Sequence, residues 1–204
     1  MEESNRPRVG LFGGTFDPVH HGHMIAAAEL RFALKLDRVA LVPNSSPPHK
    51  PGVPVSSAVH RLAMLRLAIQ GVPWLELDPI ELEREGPSYT VDTVSELASR
   101  YPSTTFVFLM GEDSLRDLPT WREPDRIVEL AELGVATRPG VAVNLDDLYA
   151  RIPGARGRVA VVEIPDVSIA SRELRRRVAE GRPISFQVPR LVERYVIENQ
   201  LYLT

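Results

Sequence analysis

Apolar residues along this chain fall into two kinds of segment. Short, nearly uninterrupted apolar runs alternate with longer stretches whose apolar positions recur every three or four residues. The first kind reads as buried strands and the second as amphipathic helices. The apolar start at Val9 predicts a strand. Met24 to Leu36 predicts a helix with Ala26, Leu30, Ala33 and Leu34 on one face, and Arg38 to Val42 a second strand. Pro43 to Pro54 carries five prolines and reads as a loop. Ser56 to Ile69 predicts a helix turning Ala58, Leu62, Leu65 and Ile69 inward, with Arg61 solvated and Gly71 at its end. Trp74 to Leu77 is a third strand. A helix entered near Ser88 or Thr90 follows, with Val91, Val94, Ala98 and Tyr101 apolar. Thr104 to Met110 is the most apolar strand, which predicts a central place with both faces covered. Leu133 to Thr137 and Arg158 to Ile164 complete the strands, with a short helix at Leu145 to Arg151 between them. Two helices close the pattern: one entered at Ser171, and one over Val188 to Gln200 packing Leu191, Tyr195 and Ile197 on the body. Strands that alternate with helices in this way build a parallel sheet with helices on both faces.

Composition adds limits. At 204 residues, 44% hydrophobic and 25% charged, the chain has material for one substantial core, and residues 1–204 read as a single domain. No apolar run reaches membrane-spanning length. The polar start MEESNRPR is no secretory signal, and zero cysteines fit a cytoplasmic home. A net charge of −3 argues against a general nucleic-acid binder. It leaves room for a small anion in a local basic pocket, and for a homo-oligomer.

The densest chemistry lies at VGLFGGTFDPVHHGH, where the first strand gives way to the first helix. Gly13 and Gly14 remove side chains from the crossing, so an anion can reach the main chain. Thr15 adds a hydroxyl. A helix beginning near Gly22 points free N–H groups into the same space, and its dipole favours negative charge there. His20 and His23 can donate to phosphate oxygens and can carry charge near neutral pH. These parts suit a polyphosphate. A Walker loop would need Gly-Lys-Ser/Thr, and a dinucleotide fingerprint GxGxxG; this stretch has neither. Zinc held by the histidines and Asp17 is an alternative, as is a plain structural turn.

Two further strand ends carry candidates. Gly111-Glu112-Asp113-Ser114 follows the central strand; Asp113 either binds a ribose hydroxyl or caps the next helix. In VSIASRELRRRV, Arg172, Arg175 and Arg176 are spaced three and four apart, so they share a helix face. Arginines in a first turn oppose the helix dipole, which a bound polyphosphate would offset; a solvated basic face is the other reading. Ser171 can cap this helix and donate to phosphate.

GGTFDPVHHGH resembles the signature of the HxGH nucleotidyltransferases, with His20, Gly22 and His23 as that element. The GPSYT-x-x-T, GEDS and PTW segments make the chain similar, nearly end to end, to the bacterial nicotinate mononucleotide adenylyltransferases. The resemblance implies a doubly wound Rossmann-like α/β fold with a small C-terminal helical part. It implies adenylyl transfer from ATP to nicotinate mononucleotide, giving deamido-NAD and pyrophosphate. It assigns Gly13, Gly14, Thr15, His20, His23, Gly111, Asp113, Ser171, Arg172 and Arg175 to ATP. His20, His23 and Arg175 carry the catalysis. It assigns Asn44, His49, Lys50, Tyr89, Thr90, Trp121 and Arg138 to the mononucleotide, with the Trp121 plane on the pyridine ring and Lys50 and Arg138 toward its phosphate. Core packing is the other role open to Trp121, and helix capping the other role open to Thr90. The chain departs from the family's ISSTxIR pattern at Ala170 and Arg172, where hydroxyl residues are usual. No metal cage is implied; Mg²⁺ arrives on the triphosphate. A phosphopantetheine adenylyltransferase and a non-catalytic nucleotide sensor are the rival readings.

Overall fold

The computed structural model describes residues 6–45 and 55–203, so His49 and Lys50 lie outside the described residues. Six strands form one parallel sheet: β1 (Arg8–Gly14), β2 (Arg38–Pro43), β3 (Leu75–Leu77), β4 (Thr105–Gly111), β5 (Glu132–Thr137) and β6 (Val159–Glu163). Their order is β3-β2-β1-β4-β5-β6, every pair parallel. Eight helices are described: α1 (His21–Ala33), α2 (Ala58–Ala68), α3 (Thr90–Arg100), α4 (Glu112–Asp117), α5 (Pro124–Leu130), α6 (Asp146–Arg151), α7 (Ser171–Ala179) and α8 (Arg190–Glu198).

The side-chain alternation of the central strands divides the core in two. Val9 and Leu11 of β1 and Phe106, Phe108 and Met110 of β4 face one layer, with α3, α5 and α6. Val107 and Leu109 of β4 face the other, with α1, α2, α7 and α8. The sheet is therefore covered on both faces, as its near-continuous apolar strands require. The expected C-terminal helical part is present and packs on the sheet: Leu174 of α7 and Val192 and Val196 of α8 are buried in the second layer.

Several helix faces differ from expectation. On α2 the buried set is Arg61, Met64, Leu65 and Ala68, so the inward stripe includes Arg61 and leaves Leu62 at its margin. On α8, Val192 and Val196 are buried while Leu191 and Ile197 are exposed; of the expected residues only Tyr195 packs on the core. α3 ends before Tyr101, which is exposed, and α1 ends at Ala33, also exposed. α5 has no counterpart in the expected elements. Pro124 opens it, where a missing N–H costs nothing, and Ile127 and Val128 bury its short apolar face.

Arg61 is the clearest correction. It is 2% exposed, not solvated. Its Nε donates to the Ser56 carbonyl at 3.2 Å and its Nη1 to the Thr15 carbonyl at 3.0 Å. Burial holds its pKa below the usual arginine value, and the nearby Asp17 carboxylate opposes that shift. Arg61→Met leaves two carbonyls and a buried carboxylate without this partner. A loss of about 3–5 kcal/mol of unfolding free energy in urea is expected, as for one partner of a buried charge pair.

Candidate functional site

The strand order reverses between β1 and β4, and the carboxyl ends of those strands bound a crevice there. In doubly wound sheets that is where ligands bind. Gly111, the last residue of β4, lines three adjoining clefts of about 560, 330 and 210 Å³. A Cβ built on Gly111 meets nothing within 4 Å, so the main chain lies open to the crevice.

One wall is the turn between β1 and α1. His20 is the N-cap of α1, with extended backbone. Its N–H donates to His23 Nδ1 at 3.2 Å. An accepting Nδ1 puts the proton of a neutral His23 ring on Nε2, which is then a donor. The two rings stack with centroids 3.6 Å apart, and Phe16 meets His23 edge-on at 5.0 Å. His20 is buried, and its Nδ1 has no partner among the described residues. Gly22 is required beside it: a Cβ there would stand 3.0 Å from His20 Nδ1. At Gly14 a Cβ would stand 2.8 Å from the fully buried Phe16 ring.

This packing changes the electrostatics expected of the histidines. Burial, then the neighbouring His21, pushes His20 down to about 4. Burial, then His20, holds His23 well below the usual imidazole range. Both rings are therefore neutral at pH 7 in the unliganded protein, whereas charge near neutrality was the expectation. A neutral imidazole still offers one N–H donor, and an anion brought close would favour its charged form. Asp17 does not join them. Its carboxylate accepts from Tyr202 Oη at 2.6 Å and Ser56 N–H at 3.0 Å. Among the described residues no three His, Cys, Asp or Glu side chains form a group able to hold a metal ion.

The arginine helix stands behind the turn. Arg175 Nη1 donates to the Asp17 carbonyl at 2.7 Å, and Ser171 Oγ to the Pro18 carbonyl at 2.9 Å. Ser171 is the first helical residue rather than the cap, which is Ala170. Arg172 is exposed and makes no ion pair among the described residues. Arg176 does not join Arg175: it pairs with Glu173 at 2.6 Å and Glu180 at 3.3 Å in solvent.

The opposite wall is the 560 Å³ cleft, lined by Gly13, Gly14, Asn44, Tyr89, Thr90 and Trp121. Trp121 packs edge-on against Phe108 at 5.9 Å while lining the cleft, so it is both core and wall. Thr90 opens α3 but the cap is Tyr89, with no side-chain capping bond. Asn44 donates to Thr15 Oγ1 at 3.4 Å, and its buried Oδ1 has no partner among the described residues. The cleft also holds residues that sequence reasoning passed over: Glu81, Thr93, Phe108, Met110 and Arg122. Buried Glu81 accepts from Thr93 Oγ1 at 2.7 Å. The alternation of β4 could have pointed to Phe108 and Met110; nothing in the sequence marks Glu81.

Asp113 and Arg138 line the 330 Å³ cleft with Gly22 and Gly111. Asp113 is exposed and pairs with Arg116 at 2.8 Å; it does not cap α4, whose N-cap is Gly111. The structure thus brings Arg138 to the side of Gly111 and Asp113, away from Tyr89, Thr90 and Trp121.

A doubly wound sheet with an HxGH turn at its switch point and a helix-borne arginine behind it defines the HxGH nucleotidyltransferase class. Residues 11–177 match the model of the Cytidylyltransferase-like family. A Thermomicrobium roseum protein named "Probable nicotinate-nucleotide adenylyltransferase" is 54% identical over 97% of this chain and 92% of its own. A Thermus thermophilus protein of the same name is 43% identical over 96% and 99%. The Plasmodium falciparum nicotinic acid mononucleotide adenylyltransferase, solved with NaAD, shares the fold. Its TM-score is 0.79 at 20% identity, over 96% of this chain and 97% of that one. The chain belongs to the bacterial nicotinate-nucleotide adenylyltransferases of the Cytidylyltransferase-like family.

The neutral His20 gives stability a defined pH dependence. An unfolded histidine titrates near 6.5, while His20 in the fold titrates near 4. Between those values the unfolded chain binds the extra proton. Stability is therefore lost as pH falls from about 6.5 to about 4, by on the order of 3 kcal/mol from this residue. Urea unfolding at pH 7 and pH 5 should show about 2 kcal/mol of that drop from His20, and His20→Asn should remove this share and leave the part due to His23.

Proposed function

We propose that this chain, as a single nucleotidyltransferase domain, transfers the adenylyl group of ATP to nicotinate mononucleotide, giving deamido-NAD and pyrophosphate. One observation carries the reading. The crevice has two unlike walls meeting at Gly111: the β1–α1 turn, where the His20 and His23 imidazoles line a cleft of about 210 Å³, and a partly aromatic cleft of about 560 Å³. The first suits a triphosphate and the second a pyridine ring. We place the enzyme in the cytoplasm, with its soluble substrates.

In this reading the mononucleotide phosphate is itself the nucleophile, ionised at neutral pH, so no general base is required. The protein positions the two phosphates and offsets charge growing on the α-phosphate and the leaving pyrophosphate. His23 Nε2–H and His20 face the ATP phosphates, with His23 nearer the reacting phosphorus. Their burial makes each hydrogen bond stronger than it would be in water. Arg175 spends one N–H group on the Asp17 carbonyl and keeps its others for the pyrophosphate, with Arg172 free to add charge. Gly13 and Gly14, which line the larger cleft, leave its wall bare for the approaching phosphates, and the Thr15 hydroxyl serves the same anion. Gly111 and Asp113 take the adenosine side, with the Asp113 carboxylate on ribose hydroxyls. Trp121 and Tyr89 hold the pyridine ring with Thr90, and the free Oδ1 of Asn44 accepts from the acceptor's ribose. Lys50 and His49 supply charge toward the mononucleotide phosphate, while Arg138, which lines the cleft of Gly111 and Asp113, lies on the adenosine side. Mg²⁺ belongs to the substrate, where it neutralises part of the triphosphate charge.

The test is pyrophosphate release from Mg-ATP with nicotinate mononucleotide, nicotinamide mononucleotide and phosphopantetheine offered in parallel. Release is expected with the first, falling about 10²–10³-fold in His23→Ala, as for loss of one preorganised donor. Release with phosphopantetheine alone would keep the fold and overturn the substrate. ATP binding without release from any acceptor would favour the sensor.

A further inference from the structure

Beyond α8 the chain folds back toward the active-site turn, and Tyr202 is the residue that arrives there. Its hydroxyl donates to Asp17 Oδ1 at 2.6 Å and lies 3.9 Å from Met64 Sδ. Asp17 is 1% exposed. Burial, the Asp17 charge and this hydrogen bond all raise the Tyr202 pKa, so the hydroxyl remains a donor at any working pH. The other carboxylate oxygen accepts from the Ser56 N–H at 3.0 Å.

Residue 17 is gripped at both ends. Its side chain is held by Tyr202 and Ser56, and its carbonyl by Arg175. Any rotation of the Asp17 backbone therefore moves the anchor of Arg175. Such rotation needs a restraint, because the preceding residue is strained. Phe16 has φ of 50° in the left-handed region, where a bulky side chain costs on the order of 1–2 kcal/mol. Phe16 also packs on His23, so relaxing it would turn the imidazole.

We propose that Tyr202 is a positioning residue for the adenylyl transfer: through the Asp17 carboxylate it holds the turn that aims Arg175, His20 and His23. Tyr202 touches no substrate in this assignment. It acts on the ATP side alone, because the groups its partner orients are those assigned to the ATP phosphates. The cleft lined by Tyr89, Thr90 and Trp121 has no member in this network. The inference rests on the proposed reaction and on the assignment of Arg175 to ATP.

The test is steady-state kinetics of deamido-NAD formation for wild type, Tyr202→Phe and Tyr195→Phe. Tyr195 donates or accepts across to His60 Nδ1 at 3.0 Å, tying α8 to α2 without reaching Asp17. It controls for general loosening of that packing. Tyr202→Phe should lower kcat/KM for ATP about tenfold or more, the scale of a slightly misplaced catalytic group. KM for nicotinate mononucleotide should stay within about twofold. Tyr195→Phe should leave both parameters as in wild type at temperatures where it is folded. Equal kinetics in the two variants would overturn the proposal, as would a change in KM for both substrates with kcat intact. If Tyr202→Phe does not fold, Asp17→Asn, which keeps the shape and one acceptor, must show the same split or the proposal fails. Absence of product from wild type would instead refute the reaction itself.

Discussion

Four main-chain carbonyls between Gly14 and Pro18 are each held by a group from a distant part of the fold. Asn44 N–H takes Gly14, Arg61 takes Thr15, Arg175 takes Asp17 and Ser171 takes Pro18. A strand that leaves a sheet to start a helix must leave peptide groups without ladder partners, and buried ones are costly to abandon. Here those groups fasten α2, α7 and the β2 exit to one short turn. The left-handed Phe16 and the stacked His20–His23 pair persist because the turn is fixed from several sides at once.

The sheet supplies the other half of the arrangement. Reversal of strand order between β1 and β4 opens a crevice, and Gly111 keeps its floor bare. The turn brings donors to one side. The apolar face of β4, continued through Phe108 and Trp121, makes the other. A reaction that moves an adenylyl group from a triphosphate to a flat ring-bearing phosphate, releasing pyrophosphate, needs both surfaces within one opening. Neither wall is built from consecutive sequence: each draws on strands, helix starts and loops well apart in the chain.

The sheet was legible because parallel strands buried on both faces are continuous apolar runs, and Thr104 to Met110 is such a run. Helix faces were less so. On α8, apolar residues lie on both sides, and spacing alone does not choose Val192 and Val196 over Leu191 and Ile197. α5 is seven residues long, too short to show a period, and opens on a proline. In the site, Gly14, Gly22 and the histidines were readable because each is set by a steric or chemical demand of the turn itself. Arg61 was not. A charged residue among apolar ones looks like surface, and its partners are carbonyls, which every residue has. The neutral state of the histidines was equally hidden, because it follows from burial rather than from residue type.

The most direct measurement follows the α- and γ-phosphates of ATP separately. Enzyme is supplied with nicotinate mononucleotide and with ATP labelled at the α- or the γ-phosphate, and the products are separated. Adenylyl transfer through this crevice predicts α-label in the dinucleotide and γ-label in pyrophosphate, in equal amounts. Label appearing as ADP or free phosphate, or γ-label carried to the mononucleotide, would contradict it.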